Sequence, residues 1–263
     1  MLFLTREPLW FSGLLLVGLT SILACLGPLL VRRFVALEKL TTNNEVAGFK
    51  FATIGVLYAV LLGFAIFLVW QKYSDADSTV EKEAGAAATM YHLSAALDGS
   101  QATSFRNALT AYLRSAVSDE WPSMEGGKAS NNTHVALGAL YQAVLDATKS
   151  TSSTAVIGEI FNQLDNLTAA RRARIEAAEG AVPPIVWLAL FIGAAVTISF
   201  TFFFGTINLR AQMLMTALLS ALIFSELLVA VVLDRPFSGS VKVSPDAIAD
   251  VIADHAAAGA ETR

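Results

Sequence analysis

Four long apolar runs limit what this chain can fold into. They are "LWFSGLLLVGLTSILACLGPLLV" (9–31), "FATIGVLYAVLLGFAIFLVWQ" (51–71), "PIVWLALFIGAAVTISFTFFFG" (184–205) and "AQMLMTALLSALIFSELLVAVVL" (211–233). Each reaches the roughly 20 residues that a helix needs to cross about 30 Å of hydrocarbon. No water is available there to satisfy backbone N–H and C=O groups, so runs of this kind span as helices. The first run could be read as a removed leader, and "ILAC" resembles a lipoprotein cleavage site. The apolar run continues past Cys25 through Leu29, Leu30 and Val31, however, and Arg6 is offset by Glu7. It is expected to remain as a membrane helix.

Composition agrees with this reading. A chain of 263 residues with 55% hydrophobic and 15% charged residues is too apolar for an ordinary soluble domain and too poor in charge for a disordered one. The net charge of -4 offers no basic footprint for phosphates, which argues against sequence-independent nucleic-acid binding. Cys25 stands alone, so neither an internal disulfide nor a thiolate zinc cage can form. His92, His134 and His255 lie in separate segments, with no H-E-x-x-H pair, no nucleophile elbow and no phosphate-cradling glycine loop. No catalytic residue, cofactor or metal site is expected, and an enzyme is not.

The spans divide the chain into an N-terminal membrane half (1–71), an extramembrane domain (72–183), a membrane hairpin (184–233) and a C-terminal tail (234–263). Only "TINLR" separates the third and fourth spans, which forces them into an antiparallel pair. Within the domain apolar residues recur at helical spacing, so the expected class is all-α. A first domain helix is expected to start at the capping signature Ser78-x-x-Glu81 and to end at Asp98-Gly99. A second runs through Phe105, Leu109 and Tyr112 and stops before a loop, "DEWPSMEGGKASNNT". A third carries Leu137, Leu140, Tyr141 and Val144. The fourth carries Ile157, Ile160, Phe161, Leu164 and Leu167, a stripe that either packs within the domain or meets a neighbouring subunit. Gly180 and Pro183-Pro184 end it.

An even number of crossings puts the N-terminus, the domain and the tail on one side. Lys and Arg flanking the spans there (Arg6, Lys72, Lys82, Arg171, Arg172, Arg174, Arg235, Lys242) outnumber those opposite (Arg32, Arg33, Lys39, Lys50, Arg210). The positive-inside rule therefore leans toward a cytosolic domain.

The second span carries two parallel stripes. Gly55, Ala59 and Gly63 repeat every four residues, a pattern that lets helix backbones approach closely in lipid. Val56, Val60 and Phe64 form a larger apolar line about 100° away. In a ring of several copies this line could face a shared axis and form a constriction that excludes water; by itself it also fits plain core or lipid contact. Glu226 is an acidic residue inside a predicted span, a position that usually faces a bundle interior or a water-filled cavity. It is also close enough to Asp234 to be a tolerated boundary residue.

"VLLGFAIFLVWQKY" resembles the second membrane helix of bestrophins, pentameric ion channels with an aliphatic-aromatic-aromatic neck on an LGF-containing helix and a basic-aromatic pair at the membrane exit. That resemblance implies neck positions at Val56, Val60 and Phe64 and an exit pair at Lys72 and Tyr73. "LDRPFSG" is similar to the family's acidic-x-Pro-Phe-Gly signature after the last membrane helix, here Asp234, Pro236 and Phe237 with Ser238 inserted before the glycine. Taken whole, with "RRARIEAAEGAVPPIVW" and "LMTALLSALIFSELLVAVVLDRPFSGSVKVSP", the chain is identified as a member of the bestrophin-like family of unknown function. Val60 replaces the usual aromatic and the calcium-clasping acidic run is missing after Phe237, which implies a looser neck and no calcium gate.

The resemblance implies a homo-oligomer, a pentamer, in a bacterial inner (plasma) membrane, its partners being further copies of itself, the lipid bilayer and permeating ions. The alternatives are a non-conducting sensor or scaffold whose helical domain binds a partner, and an ion-driven motor subunit that cycles a proton on Glu226.

Overall fold

A computed structural model describes residues 8–149 and 154–261, so Arg6 and Glu7 lie outside the described residues. Every regular element among the described residues is helical. The long helices are α1 (Leu9–Phe34), α2 (Asn44–Leu93), α3 (Gly99–Ser115), α4 (Asn131–Ala147), α5 (Thr154–Ala177), α6 (Pro184–Thr201), α7 (Leu209–Leu233) and α8 (Asp246–Glu261). Four of them, α1, α2, α6 and α7, are long and apolar enough to cross a membrane.

The chain groups into two compact units, Met1–Gln71 with Gly180–Asp234, and Lys72–Glu179 with Arg235–Arg263. The described part of the segment expected as a separate tail therefore groups with the extramembrane helices. Its apolar residues Phe237, Val243 and Ile248 explain this, since all three are buried in that unit's core.

In the membrane unit, α1 packs along α7, and the core is built from Tyr58, Leu62, Ala65 and Val69 of α2, Trp187, Leu190 and Ala194 of α6, and Ile223, Leu227 and Ala230 of α7. Gly193 lets α2 approach α6 closely, because a Cβ there would lie 2.6 Å from Cδ2 of Tyr58. The tyrosine ring occupies the space that a side chain would fill. Between Phe34 and Asn44 the chain forms a short helix, Leu37–Thr42.

The second unit differs from expectation in two places. No helix begins at Ser78, because α2 runs unbroken for 50 residues from Asn44 to Leu93. A capping box stops nothing when the residues before it are already helical, and Gln71–Asp77 contains neither Pro nor Gly. The expected loop after α3 is mostly helical: one π turn, Ala116–Glu120, leads into Trp121–Met124, with Pro122 in the first turn where its missing N–H costs nothing. A tight turn with Gly127 at φ +70° follows, and Ser130 caps α4 by accepting from the Thr133 N–H.

The core of this unit collects Phe105, Leu109 and Tyr112 from α3, Leu140 and Val144 from α4, and Ile157, Ile160, Leu164 and Leu167 from α5. The α5 stripe thus packs within its own domain.

A charged cluster lies at the centre of this core. Arg174 donates from Nε to Glu83 Oε2 at 2.6 Å, and from Nη2 to Glu83 Oε1 at 3.0 Å and Glu120 Oε2 at 2.9 Å. Arg171 pairs with Glu120, and the Tyr112 hydroxyl donates to Glu83 Oε1 at 2.5 Å. Burial opposes the Arg174 charge, but Glu83 and Glu120 more than offset this and hold its pKa above the ordinary value. Burial, followed by the adjacent Glu83 carboxylate, raises the Tyr112 hydroxyl well above its usual range. Arg171 and Arg174, counted above among the flanking cations, are spent inside this cluster and contribute little to a surface charge bias.

Candidate functional site: the second membrane helix and the post-helix motif

Within the membrane unit the buried face of α2 is set by Tyr58, Leu62, Ala65 and Val69, each no more than 7% exposed. At about 100° per residue, Val56, Val60 and Phe64 fall on roughly the opposite side. Their exposures of 64%, 53% and 70% agree with that geometry. The row faces away from the chain's own packing.

The small-residue stripe is also without a partner among the described residues. A Cβ built at Gly55 or Gly63 meets nothing within 4 Å, and Ala59 is exposed. Helix α2 therefore uses one face for its own unit and presents both the glycine stripe and the larger apolar row outward.

Glu226 is half-buried on α7, and on α2 the Tyr58 hydroxyl is buried with no hydrogen-bond partner among the described residues.

At the exit pair, Lys72 Nζ donates to the Glu179 carbonyl at 2.9 Å. Tyr73 is half-buried against the core of the helical unit. Each fixes the start of that unit.

The post-helix motif separates into distinct tasks. Asp234, the last residue of the membrane unit, accepts on Oδ1 from the Ala181 and Val182 N–H groups at 2.9 Å each. It satisfies donors just ahead of α6, where Pro183 and Pro184 supply none. In the helical unit, the Pro236 carbonyl accepts from the Val243 N–H at 2.7 Å. Phe237 is fully buried and meets Trp121 edge-on, centroids 5.7 Å apart. Gly239 takes φ +88°, which accommodates the inserted Ser238 in a turn that few other residues could make. Trp121 in turn lies under the Arg174 guanidinium at 4.7 Å, so the motif is anchored to the buried charged cluster.

The residues of that cluster were not found from sequence. Glu83 and Arg174 are 91 positions apart, and one chain carries no signal that pairs them. Among the described residues, no three His, Cys, Asp or Glu side chains gather in a way that could hold a metal.

The observations define an all-α integral membrane protein with four apolar helices and a helical domain set between the second and third. The chain belongs to the bestrophin-like family: the Bestrophin-like domain matches residues 18–248. Among solved structures it is similar to a bacterial bestrophin homologue from Klebsiella pneumoniae carrying a point mutation, with TM-score 0.68 and 17% identity over 95% of this chain and 99% of that one. A second mutant of a Klebsiella pneumoniae homologue gives TM-score 0.70 at 16% identity, covering 91% and 97%. A Klebsiella pneumoniae homologue phased with zinc gives 0.67 at 17%, covering 93% and 96%. No curated protein matches the chain.

Proposed function

We propose that the protein is the subunit of a homo-oligomeric ion channel, a pentamer in a bacterial inner membrane with its helical domain on the cytosolic side. Ions would pass down their gradient through a pore lined by α2, with Val56, Val60 and Phe64 as the neck and Gly55, Ala59 and Gly63 against the neighbouring copy. The observation that carries this reading is the outward apolar row on α2, opposite the face that packs in the chain. An apolar constriction of this kind gates by losing water when narrow and regaining it when widened. Family membership and the fold match support the same reading.

The test is ion flux from purified protein in liposomes, beside a subunit count by native mass measurement in detergent. A closed ring of subunits, with flux changed severalfold in Phe64→Ala or Val60→Ala, is expected. Monomers or dimers, or a conducting ring whose flux is the same in both variants, would overturn it. A partner-binding scaffold that used the Ile157–Leu167 stripe loses its support, because that stripe is buried in its own domain.

A further inference from the structure

The membrane unit contains a cavity of about 310 Å³ where α1 ends, α2 begins and the α6–α7 hairpin turns. Phe51, Phe204, Met215 and Leu219 give it apolar walls, while Gln212 and Thr206 stand at its polar end. The frame is fixed. Asn44 clasps Gly205 in both directions, donating to its carbonyl at 2.6 Å and accepting from its N–H at 2.8 Å. Phe51 meets Phe204 edge-on at 5.7 Å, and Gln212 donates to the Phe204 carbonyl at 2.5 Å. Met215, 57% exposed, leaves the apolar side open.

Arg32 marks the polar end. Its Nη2 donates to the Thr206 carbonyl, to Thr206 Oγ1 at 3.2 Å and to Gln212 Oε1 at 2.9 Å, so the guanidinium rests on two residues of the cavity wall. All these acceptors are neutral. Arg32 makes no ion pair among the described residues, and its Nε is buried without a partner. The C-terminal end of α1 favours a cation there, but that effect amounts to only about 0.3–1 kcal/mol. A half-buried guanidinium that meets only neutral oxygens is short of an anion. The surrounding segments add to this: residues 32–50 and 206–210 hold Arg32, Arg33, Lys39, Lys50 and Arg210 against Glu38 and Glu45, five cations to two anions.

We propose that this cavity binds one anionic phospholipid, an acyl chain lying between Phe51, Met215 and Leu219 and the phosphodiester pairing with Arg32. One amphiphile answers both features at once, filling an apolar cavity open on its hydrocarbon side and supplying the anion that Arg32 lacks. A guanidinium pairs with a phosphodiester through charge-assisted hydrogen bonds, whichever leaflet supplies the lipid. The inference does not depend on conduction.

The experiment is native mass measurement of the purified, delipidated protein in micelles holding equimolar dioleoyl phosphatidylglycerol and dioleoyl phosphatidylcholine. Retention of phosphatidylglycerol over phosphatidylcholine by roughly fivefold is expected, falling to near parity in Arg32→Gln. Because Met215 is exposed, Met215→Trp narrows the mouth without straining the fold, and should lower occupancy by both lipids while the subunit count stays unchanged. Glycerol phosphate, which offers the headgroup chemistry without a chain, should fail to displace the lipid. No preference in the parent, a preference that survives Arg32→Gln, undiminished occupancy in Met215→Trp, or displacement by glycerol phosphate would each overturn the proposal. So would a structure of the assembled protein with a neighbouring subunit's side chains filling the cavity.

Discussion

Glu83 receives both Nε and Nη2 of Arg174, and neither side chain has any solvent exposure. The pair joins α2 to α5 at the centre of the helical unit, with Glu120 and Arg171 completing two positive and two negative charges. Removing one partner strands a charge in a dry core, whereas removing both as a matched pair leaves Glu120 with Arg171. Arg174→Met alone should destabilise the helical unit by about 3–5 kcal/mol, and the double change Glu83→Leu with Arg174→Met by clearly less. Denaturant unfolding in detergent, followed by the fluorescence of Trp121, measures both. A double variant as damaged as the single one would show that the cluster is held for geometry that no apolar pair can restore.

Phe237 ties the segment after the last membrane helix to Trp121. Truncating a fully buried phenylalanine removes its transfer free energy and leaves a cavity, a loss of about 3–5 kcal/mol. In Phe237→Ala, amide exchange should accelerate across residues 235–248. Exchange in the Tyr58–Val69 stretch of α2, whose contacts lie in the other unit, should stay as it was.

His255 makes the stability of the helical unit dependent on pH. Its ring stacks on Tyr91 with centroids 3.7 Å apart, and both ring nitrogens are buried with no hydrogen-bond partner among the described residues. Burial, then His92, lower its pKa to about 4; Asp254 pulls the other way and Arg106, the smallest influence, adds to the lowering. The unfolded chain, with an ordinary value of about 6.5, takes up this proton first as pH falls. Stability contributed by the neutral ring is therefore complete above about 6.5, falls as pH drops toward about 4, and changes no further below that. Amide exchange in α8 at pH 7 and pH 5 should show more opening at the lower pH. His255→Phe keeps the stack and should remove most of the difference.

The spans were legible because hydrocarbon thickness imposes a length that composition alone reveals, and Pro183-Pro184 marked the start of α6 to the residue. Short-range signals misled where long-range packing decides. Ser78-x-x-Glu81 has the letters of a helix start, yet lies inside a helix that nothing upstream interrupts. "DEWPSMEGGKASNNT" reads as a loop, yet Trp121 and Met124 are buried and hold the chain helical to Met124. The Val56, Val60, Phe64 row was found by periodicity, but its direction relative to the packed face needed Tyr58 and Leu62 to be seen buried. Arg32 gave no sign in sequence of the cavity it rims, since Thr206 and Gln212 approach it from more than 170 residues away.

Gly55 and Gly63 allow the unfilled face of α2 to be tested apart from the pore. A Cβ at either position meets nothing within 4 Å among the described residues, so larger side chains there should leave the subunit's own fold intact; the helix-propensity change from Gly to Leu is favourable by about 0.8–1 kcal/mol in a soluble helix. If the stripe lies against a neighbouring copy, as proposed, a leucine at Gly63 would hold the two backbones apart where close approach supplies the packing. Gly63→Leu should therefore shift the native mass from a closed ring toward smaller species while far-ultraviolet circular dichroism shows the same helix content. An intact ring in both Gly55→Leu and Gly63→Leu would place this face against lipid, and the neighbouring copy would have to be held elsewhere.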